Sequence, residues 1–184
     1  MGGIAPESTI DYYRSLVAHY RAESGDGSYP ALLITSIDLT RLLSLVREGR
    51  LAELTDYLLA ALLQLTRAGA NLALLASNTP HLVFDDLSRR SPIPLISIVE
   101  TVAAAAKAQG LSRVTLFGTQ FTMQGRFYRE VLARYEVAVL LPSPEEQAYI
   151  HDKYMSELVE GRFLPETRAR LLAIAARLEE EAGI

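Results

Sequence analysis

Residues Asn71–His81 read NLALLASNTPH, and this stretch decides the fold. Its first seven residues, Asn71–Ser77, are almost continuously apolar, too few for a helix, and preceded by Gly69. A short run that is apolar on both faces predicts a strand covered by helices on both sides, the pattern of a parallel sheet. The run ends in three small hydrogen-bonding residues, Ser77, Asn78 and Thr79. Pro80 then opens a helix, at a first-turn position that tolerates proline.

Working outward, the same unit recurs. Ala31–Ile37 (ALLITSI), Arg113–Gly118 (RVTLFG) and Val137–Leu141 (VAVLL) read as strands of the same kind, and Pro94–Ile96 begins a shorter one. Between them the pattern predicts helices over Ser8–Glu23, Asp38–Glu48, Leu51–Ala68, Val99–Gln109, Phe121–Arg134, Pro144–Glu160 and Pro165–Ala182. Ser8 and Asp11 have the spacing of a capping box. Gly69 and Gly110 sit at helix stops. Strand–helix alternation predicts an α/β protein with a mostly parallel sheet and right-handed crossovers. Ser91–Pro94 (SPIP) marks a junction, dividing an N-terminal lobe, residues 1–94, from a C-terminal lobe, residues 95–184.

Bulk properties narrow the function. The 184 residues are 49% hydrophobic and 22% charged, ordinary for a globular chain. With 18 basic against 22 acidic residues the net charge is −4, and Lys107 and Lys153 are the only lysines. No basic face of the kind that binds phosphate backbones is present, so no nucleic-acid partner is expected. The apolar runs are too short to span a bilayer, and neither a membrane partner nor a secretory leader is expected. The absence of cysteine excludes a disulfide scaffold and a thiolate metal site in this chain. A cytoplasmic location is expected. With three histidines and no ligand spacing, no metal is expected either.

In open α/β sheets ligands bind beyond the carboxyl ends of the strands, where helix N-termini point outward. Three loops meet that description. Gly2–Thr9 (GGIAPEST) offers close backbone approach at two glycines and hydroxyls at Ser8 and Thr9. It reads either as a carboxylate-holding loop or as a plain turn with an N-cap. Ala76–His81 offers Ser77, Asn78 and Thr79, with His81, one residue into the helix that Pro80 starts, as a candidate base or as a supporting residue. Phe117–Met123 (FGTQFTM) places Gly118 and Thr119 after a strand and before a helix, as Ser77 is placed in the other half. His151 beside Asp152, and His19 with Glu23, are weaker candidates. A glycine pair ahead of a helix normally follows a strand. None is predicted before Gly2, and Gly183 reads as a helix cap with no strand after it, so both ends are expected to be cut.

Together these loops resemble the aspartate/glutamate racemase superfamily, in its aspartate-racemase-like branch. GGIAPESTIDYYR (Gly2–Arg14) resembles the family's N-terminal glycine loop and first helix. LLASNTPH (Leu74–His81) is similar to its first catalytic loop, which typically reads Cys-Asn-Thr. FGTQFTMQGRFY (Phe117–Tyr128) resembles its second-lobe Gly-Thr loop, and EEQAYIHDKYMSELVEGRF (Glu145–Phe163) a later helix. The resemblance implies two similar α/β lobes with a cleft between them. It also implies cofactor-independent inversion at the α-carbon of an acidic or related amino acid, by two cysteines working from opposite faces. It maps Ser8, Thr9, Asn78, Thr79, Gly118 and Thr119 onto substrate binding, and Ser77 onto the first cysteine. The block that carries the second cysteine is absent, so the fold is expected to be incomplete relative to the family. The ligand implied is a small amino acid or carboxylate. The alternatives are a catalytically silent binder and a fragment. A homodimer is expected.

Overall fold

Short parallel strands alternate with helices along the computed structural model, which describes residues 1–182. The chain divides into two units, Met1–Ile98 and Val99–Ile184.

The first unit carries α1 (Pro6–Ser24), α2 (Leu39–Arg47), α3 (Leu51–Arg67), β1 (Ala73–Leu74), a 3-10 turn (Thr79–Val83), α4 (Phe84–Arg90) and β2 (Leu95–Ile96). β1 pairs with β2 in parallel, Ala73 opposite Leu95 and Leu74 opposite Ile96. Leu42 on α2, Leu54, Leu58 and Leu62 on α3, Leu75, and Leu87 on α4 are completely buried and form its centre. Each such side chain stabilises the fold by roughly 1.5–3 kcal/mol over leaving it in water. Asp38 caps α2 by accepting from the Arg41 N–H at 3.1 Å.

The second unit follows with α5 (Ile98–Ala108), β3 (Arg113–Thr115), α6 (Gln120–Gln124), α7 (Arg126–Arg134), β4 (Ala138–Leu140), α8 (Pro144–Ser156), a 3-10 turn (Leu158–Glu160) and α9 (Pro165–Ala182). β3 and β4 pair in parallel over three positions, from Arg113–Ala138 to Thr115–Leu140. Two apolar clusters hold it. One joins Val99, Ala103 and Ala106 of α5 to Tyr128 and Leu132 of α7 and to Val137. The other joins Met123 of α6 to Ile150 of α8 and to Ile174 and Leu178 of α9. Between α8 and α9 the buried Glu157 carboxylate accepts from Lys153 Nζ at 2.7 Å and Thr167 Oγ1 at 2.6 Å. Those two donors hold it below the ordinary carboxylate range.

Three expectations need correction. Ala31–Ile37 is not a strand: only Ser36 is bridged, to Gly2, and Leu32, Leu33 and Ile34 are exposed. Apolar composition marked the segment for burial, but the pairing that makes a strand reaches it only at its last residues. Among the described residues no strand precedes α1, but Gly2 is bridged and Met1 is hydrogen-bonded. Gly2 donates to the Thr35 carbonyl and accepts from the Ile37 N–H, while the Met1 ammonium donates to the Leu74 carbonyl and the Met1 carbonyl accepts from Ala76. Met1 is thus paired with the end of β1, and Gly2 in parallel with the 35–37 segment. The capping box at Ser8 does not form, because α1 starts earlier, at Pro6, with Ala5 as its cap residue. The helix expected over Phe121–Arg134 is broken at Gly125, whose backbone is extended and caps α7. The Gly183 cap lies outside the described residues. Among the described residues no helix is long and apolar enough to cross a membrane.

Candidate active site

The first turn is built around two glycines. A Cβ at Gly2 would lie 2.4 Å from the Thr9 side chain, and one at Gly3 would lie 2.9 Å from the Ile37 carbonyl oxygen. Gly3 also has φ of +82°, a conformation that L side chains rarely adopt. The close approach lets Gly3 donate its N–H to Thr9 Oγ1 at 2.8 Å. That bond uses a lone pair of Thr9 and leaves the hydroxyl proton as a donor. Ser8 does the opposite. Its Oγ lies 3.0 Å from the Ala5 carbonyl and 2.9 Å from the Ala76 carbonyl, so its single proton is engaged between them and its oxygen remains an acceptor. The second of these bonds fastens the start of α1 to the end of β1, directly beside Ser77.

His81 holds the loop after β1. Its ring is buried and stacks on Phe84 with centroids 5.0 Å apart. The Ile98 N–H reaches Nε2 at 3.2 Å, and an amide N–H can only donate, so Nε2 carries the lone pair. Nδ1 is then the protonated nitrogen, and it donates to the Ser77 carbonyl at 3.0 Å. Burial drives the imidazole pKa down to about 4, against a smaller upward pull from the loop backbone. Near neutral pH the ring is uncharged with both nitrogens engaged. That arrangement gives His81 no lone pair with which to take a proton from Ser77. Its visible work is to tie the Ser77 carbonyl to the β2–α5 turn.

Ser77 is half-buried, and its Oγ takes part in no hydrogen bond among the described residues. Asn78 is half-buried beside it, and its carbonyl accepts from the His81 N–H at 2.9 Å; Thr79 is buried. The structure thus brings Ser8, Ser77 and the 78–79 backbone to one end of β1.

In the second unit the corresponding turn is closed on itself. Thr119 is buried and caps α6, its Oγ1 accepting from the Thr122 N–H at 3.2 Å and lying 3.1 Å from Thr122 Oγ1. The Gln120 N–H donates to Nδ1 of His151 at 3.2 Å. Gly118 packs against Thr122, whose Cβ would sit 3.2 Å from an added Cβ. The sequence offered His151 as a weak candidate. Its place as a partner of the α6 N-terminus was missed, since nothing in the spacing of residues 120 and 151 announces it. The link from His81 to Ile98 was missed for the same reason. Among the described residues no group of three His, Cys, Asp or Glu side chains is placed to hold a metal ion.

The sequence matches the Asp/Glu/hydantoin racemase family from residue 1 to residue 184. The chain belongs to that family. It is similar to solved structures of the same kind. One is a Yersinia pestis protein assigned as an Asp/Glu racemase, 29% identical, with a TM-score of 0.87 over 98% of this chain and 79% of that one. Another is an aspartate racemase homologue from Pyrococcus horikoshii, 33% identical, with a TM-score of 0.78 over 100% of this chain and 79% of that one. Aspartate racemase from Picrophilus torridus, 15% identical with a TM-score of 0.60, shares the fold. Family and neighbours support a racemase-type, isomerase function for this racemase-family chain. Its mixed α/β architecture with short parallel strands is the architecture of those neighbours.

Proposed function

We propose that the loop after β1 is a racemase-type site that binds an amino acid, of the acidic class, and acts at its α-carbon without a cofactor. The observation that carries this reading is the placement of Ser77: at the carboxyl end of β1, half-buried, with a hydroxyl not engaged in the chain and a carbonyl pinned by His81. The Thr9 hydroxyl proton and the Ser77 hydroxyl are donors suited to a carboxylate. The Ser8 oxygen, next to the Ala76 carbonyl, suits an ammonium group.

Chemistry sets the pace. A thiol titrates near ~8.5 and can be tuned towards neutrality, whereas a serine hydroxyl carries no useful alkoxide population unless a base activates it. Ser77 can deliver a proton to a carbanion face more readily than it can remove one. Inversion needs an acid and a base on opposite faces. The engaged, neutral His81 therefore favours a second reading, a site that binds the amino acid and exchanges its α-proton slowly or not at all.

The test is α-proton exchange in deuterated water, followed by NMR, on both enantiomers of aspartate and glutamate, with Ser77→Cys alongside. Exchange by the unaltered chain supports turnover at a hydroxyl. Protection against heat by the amino acid without exchange supports the binding reading. Neither exchange nor protection, in the chain or in Ser77→Cys, overturns both.

A further inference from the structure

A cavity of about 860 Å³ opens between α2 and α3, beside the 35–38 segment. That size falls in the range of roughly 300–1,000 Å³ found for small-molecule sites. Its wall contains neither Ser8, Thr9 nor any residue of the loop after β1, so it shares no residue with the site proposed above. Five charged side chains stand on the wall: Asp38, Arg41, Arg50, Glu53 and Asp56. Four of them are engaged. Asp38 caps α2 through the Arg41 N–H at 3.1 Å. Arg50 lies between Glu48 at 2.8 Å and Glu53 at 2.6 Å, and Asp56 pairs with Arg90 at 2.7 Å. Only the Arg41 guanidinium has no hydrogen-bonded or ion-paired partner among the described residues.

Arg41 is nevertheless held in place. Its guanidinium carbon lies 4.3 Å from the centroid of the Tyr57 ring, an attractive contact between a cation and an aromatic face. The ring is anchored in turn, because Tyr57 Oη accepts from the Asp38 N–H at 3.0 Å. That bond uses a lone pair of the phenol and leaves its proton to donate. Guanidinium and phenol are both donors here, so the group they suit is an oxyanion. A guanidinium fork matches a planar carboxylate with two parallel bonds. The other charges set the size of the negative charge. Asp38, Glu53 and Asp56 on the same wall oppose a second one, which excludes a bisphosphate or a tricarboxylate. The rest of the wall is suited to hydroxyl groups. Thr40 brings a hydroxyl and Gln64 an amide, while Ser44 gives its proton to Glu48 at 2.6 Å and is left as an acceptor.

We propose that this cavity is a second binding site, for a small hydroxylated monocarboxylic acid of the sugar-acid class. The carboxylate takes the Arg41 fork and the Tyr57 proton. The hydroxylated body lies against Thr40, Ser44 and Gln64. A neutral sugar leaves Arg41 without its partner, and a sugar phosphate brings more negative charge than the wall's own carboxylates allow.

The probe is gluconate, titrated into the full chain by calorimetry at low salt, with glucose and glucose 6-phosphate alongside. Saturable binding of gluconate to a single site is expected, with glucose 6-phosphate weaker and glucose not detected. Arg41 is exposed and in no ion pair, so Arg41→Gln leaves the fold intact, as a thermal melt will show. It is expected to weaken gluconate by at least about tenfold, and Tyr57→Phe by about threefold. Arg47→Gln makes the same charge change on the same helix, off the cavity wall, and should alter binding by less than about twofold. Ser77→Ala should bind gluconate as the parent chain does. Failure of gluconate to bind saturably overturns the proposal. So does equal weakening by Arg41→Gln and Arg47→Gln, which reduces the effect to overall charge. Loss of gluconate binding in Ser77→Ala places the acid in the loop after β1 and overturns the second site while leaving the first. Tighter binding of glucose 6-phosphate than of gluconate overturns the monocarboxylate class.

Discussion

The turns after β1 and after β3 have nearly the same sequence logic and are fastened in different ways. After β3, Thr119 turns its hydroxyl back on its own helix, where it caps the Thr122 N–H and meets the Thr122 hydroxyl in a buried pair. After β1, no side chain caps the short 3-10 turn; the loop's own His81 bonds the Ser77 carbonyl and accepts from the Ile98 N–H beyond the loop, and Ser8 of α1 holds the Ala76 carbonyl. One turn uses its hydroxyl for stability. The other is tied to its neighbours and leaves unengaged the Ser77 hydroxyl, the group proposed to meet a ligand. A hydroxyl between strand and helix is thus not evidence of a site until its partner is known.

The sharpest way to break this comparison is His81→Ala. If the His81 ring fastens the loop after β1 to the Ile98 N–H, losing it removes two hydrogen bonds, strands that N–H and opens a cavity beside Phe84. The expected cost is about 3–5 kcal/mol by urea denaturation. A loss below about 1 kcal/mol would mean that the ring does not fasten the loop. The same residue predicts a pH effect almost as large. Its folded pKa of about 4 lies below the ordinary 6.5, so between those values the unfolded chain binds a proton that the folded chain refuses. Stability contributed by the neutral ring is complete above pH 6.5 and falls with pH down to 4, by about 3 kcal/mol in all. The gap in stability between the parent chain and His81→Ala should shrink over that window, and a constant gap would refute the assignment of a neutral buried ring.

Most of the fold was legible because it is written in local patterns. Leu51–Arg67 and Pro165–Ala182 have clean ends at Gly69 and at a first-turn proline, and the apolar runs Asn71–Ser77 and Val137–Leu141, predicted as strands, contain the strands Ala73–Leu74 and Ala138–Leu140. The segment 31–34 failed because apolar composition reports a preference for burial, while strand formation needs a partner at the same height. The break at Gly125 failed because helical periodicity continues across it. Within the site, the positions of Ser77 and Thr119 were legible as strand ends. Their roles were not, since these depend on His81 finding Ile98 and on Thr119 finding Thr122, and sequence spacing cannot say which hydroxyls are already engaged.

Thr119→Ala measures the self-capped side of the comparison. It removes an N-cap and leaves the buried Thr122 hydroxyl without its neighbour, so about 1–2 kcal/mol of stability should be lost. Thr119→Ser keeps the oxygen and should recover most of that loss. If alanine is as stable as the parent, the hydroxyl is not a cap in solution.

The smallest effect on stability, and the most informative, belongs to Ser77→Ala. The Ser77 hydroxyl makes no hydrogen bond among the described residues, so its removal breaks nothing in the fold. The pinned group is the backbone carbonyl, which alanine retains. Stability should change by less than about 0.5 kcal/mol, the range of a substitution with no structural role. Protection by aspartate or glutamate in a thermal shift, and any α-proton exchange, should drop together, because the hydroxyl proposed to meet the substrate has gone. Placed beside Thr119→Ala, the pair makes a two-way test: one hydroxyl moves stability and leaves its own turn's ligand chemistry untouched, the other moves ligand binding and leaves stability untouched. A Ser77→Ala chain that is destabilised by 1–2 kcal/mol would erase the difference between the two turns, and with it the reason for placing the site after β1.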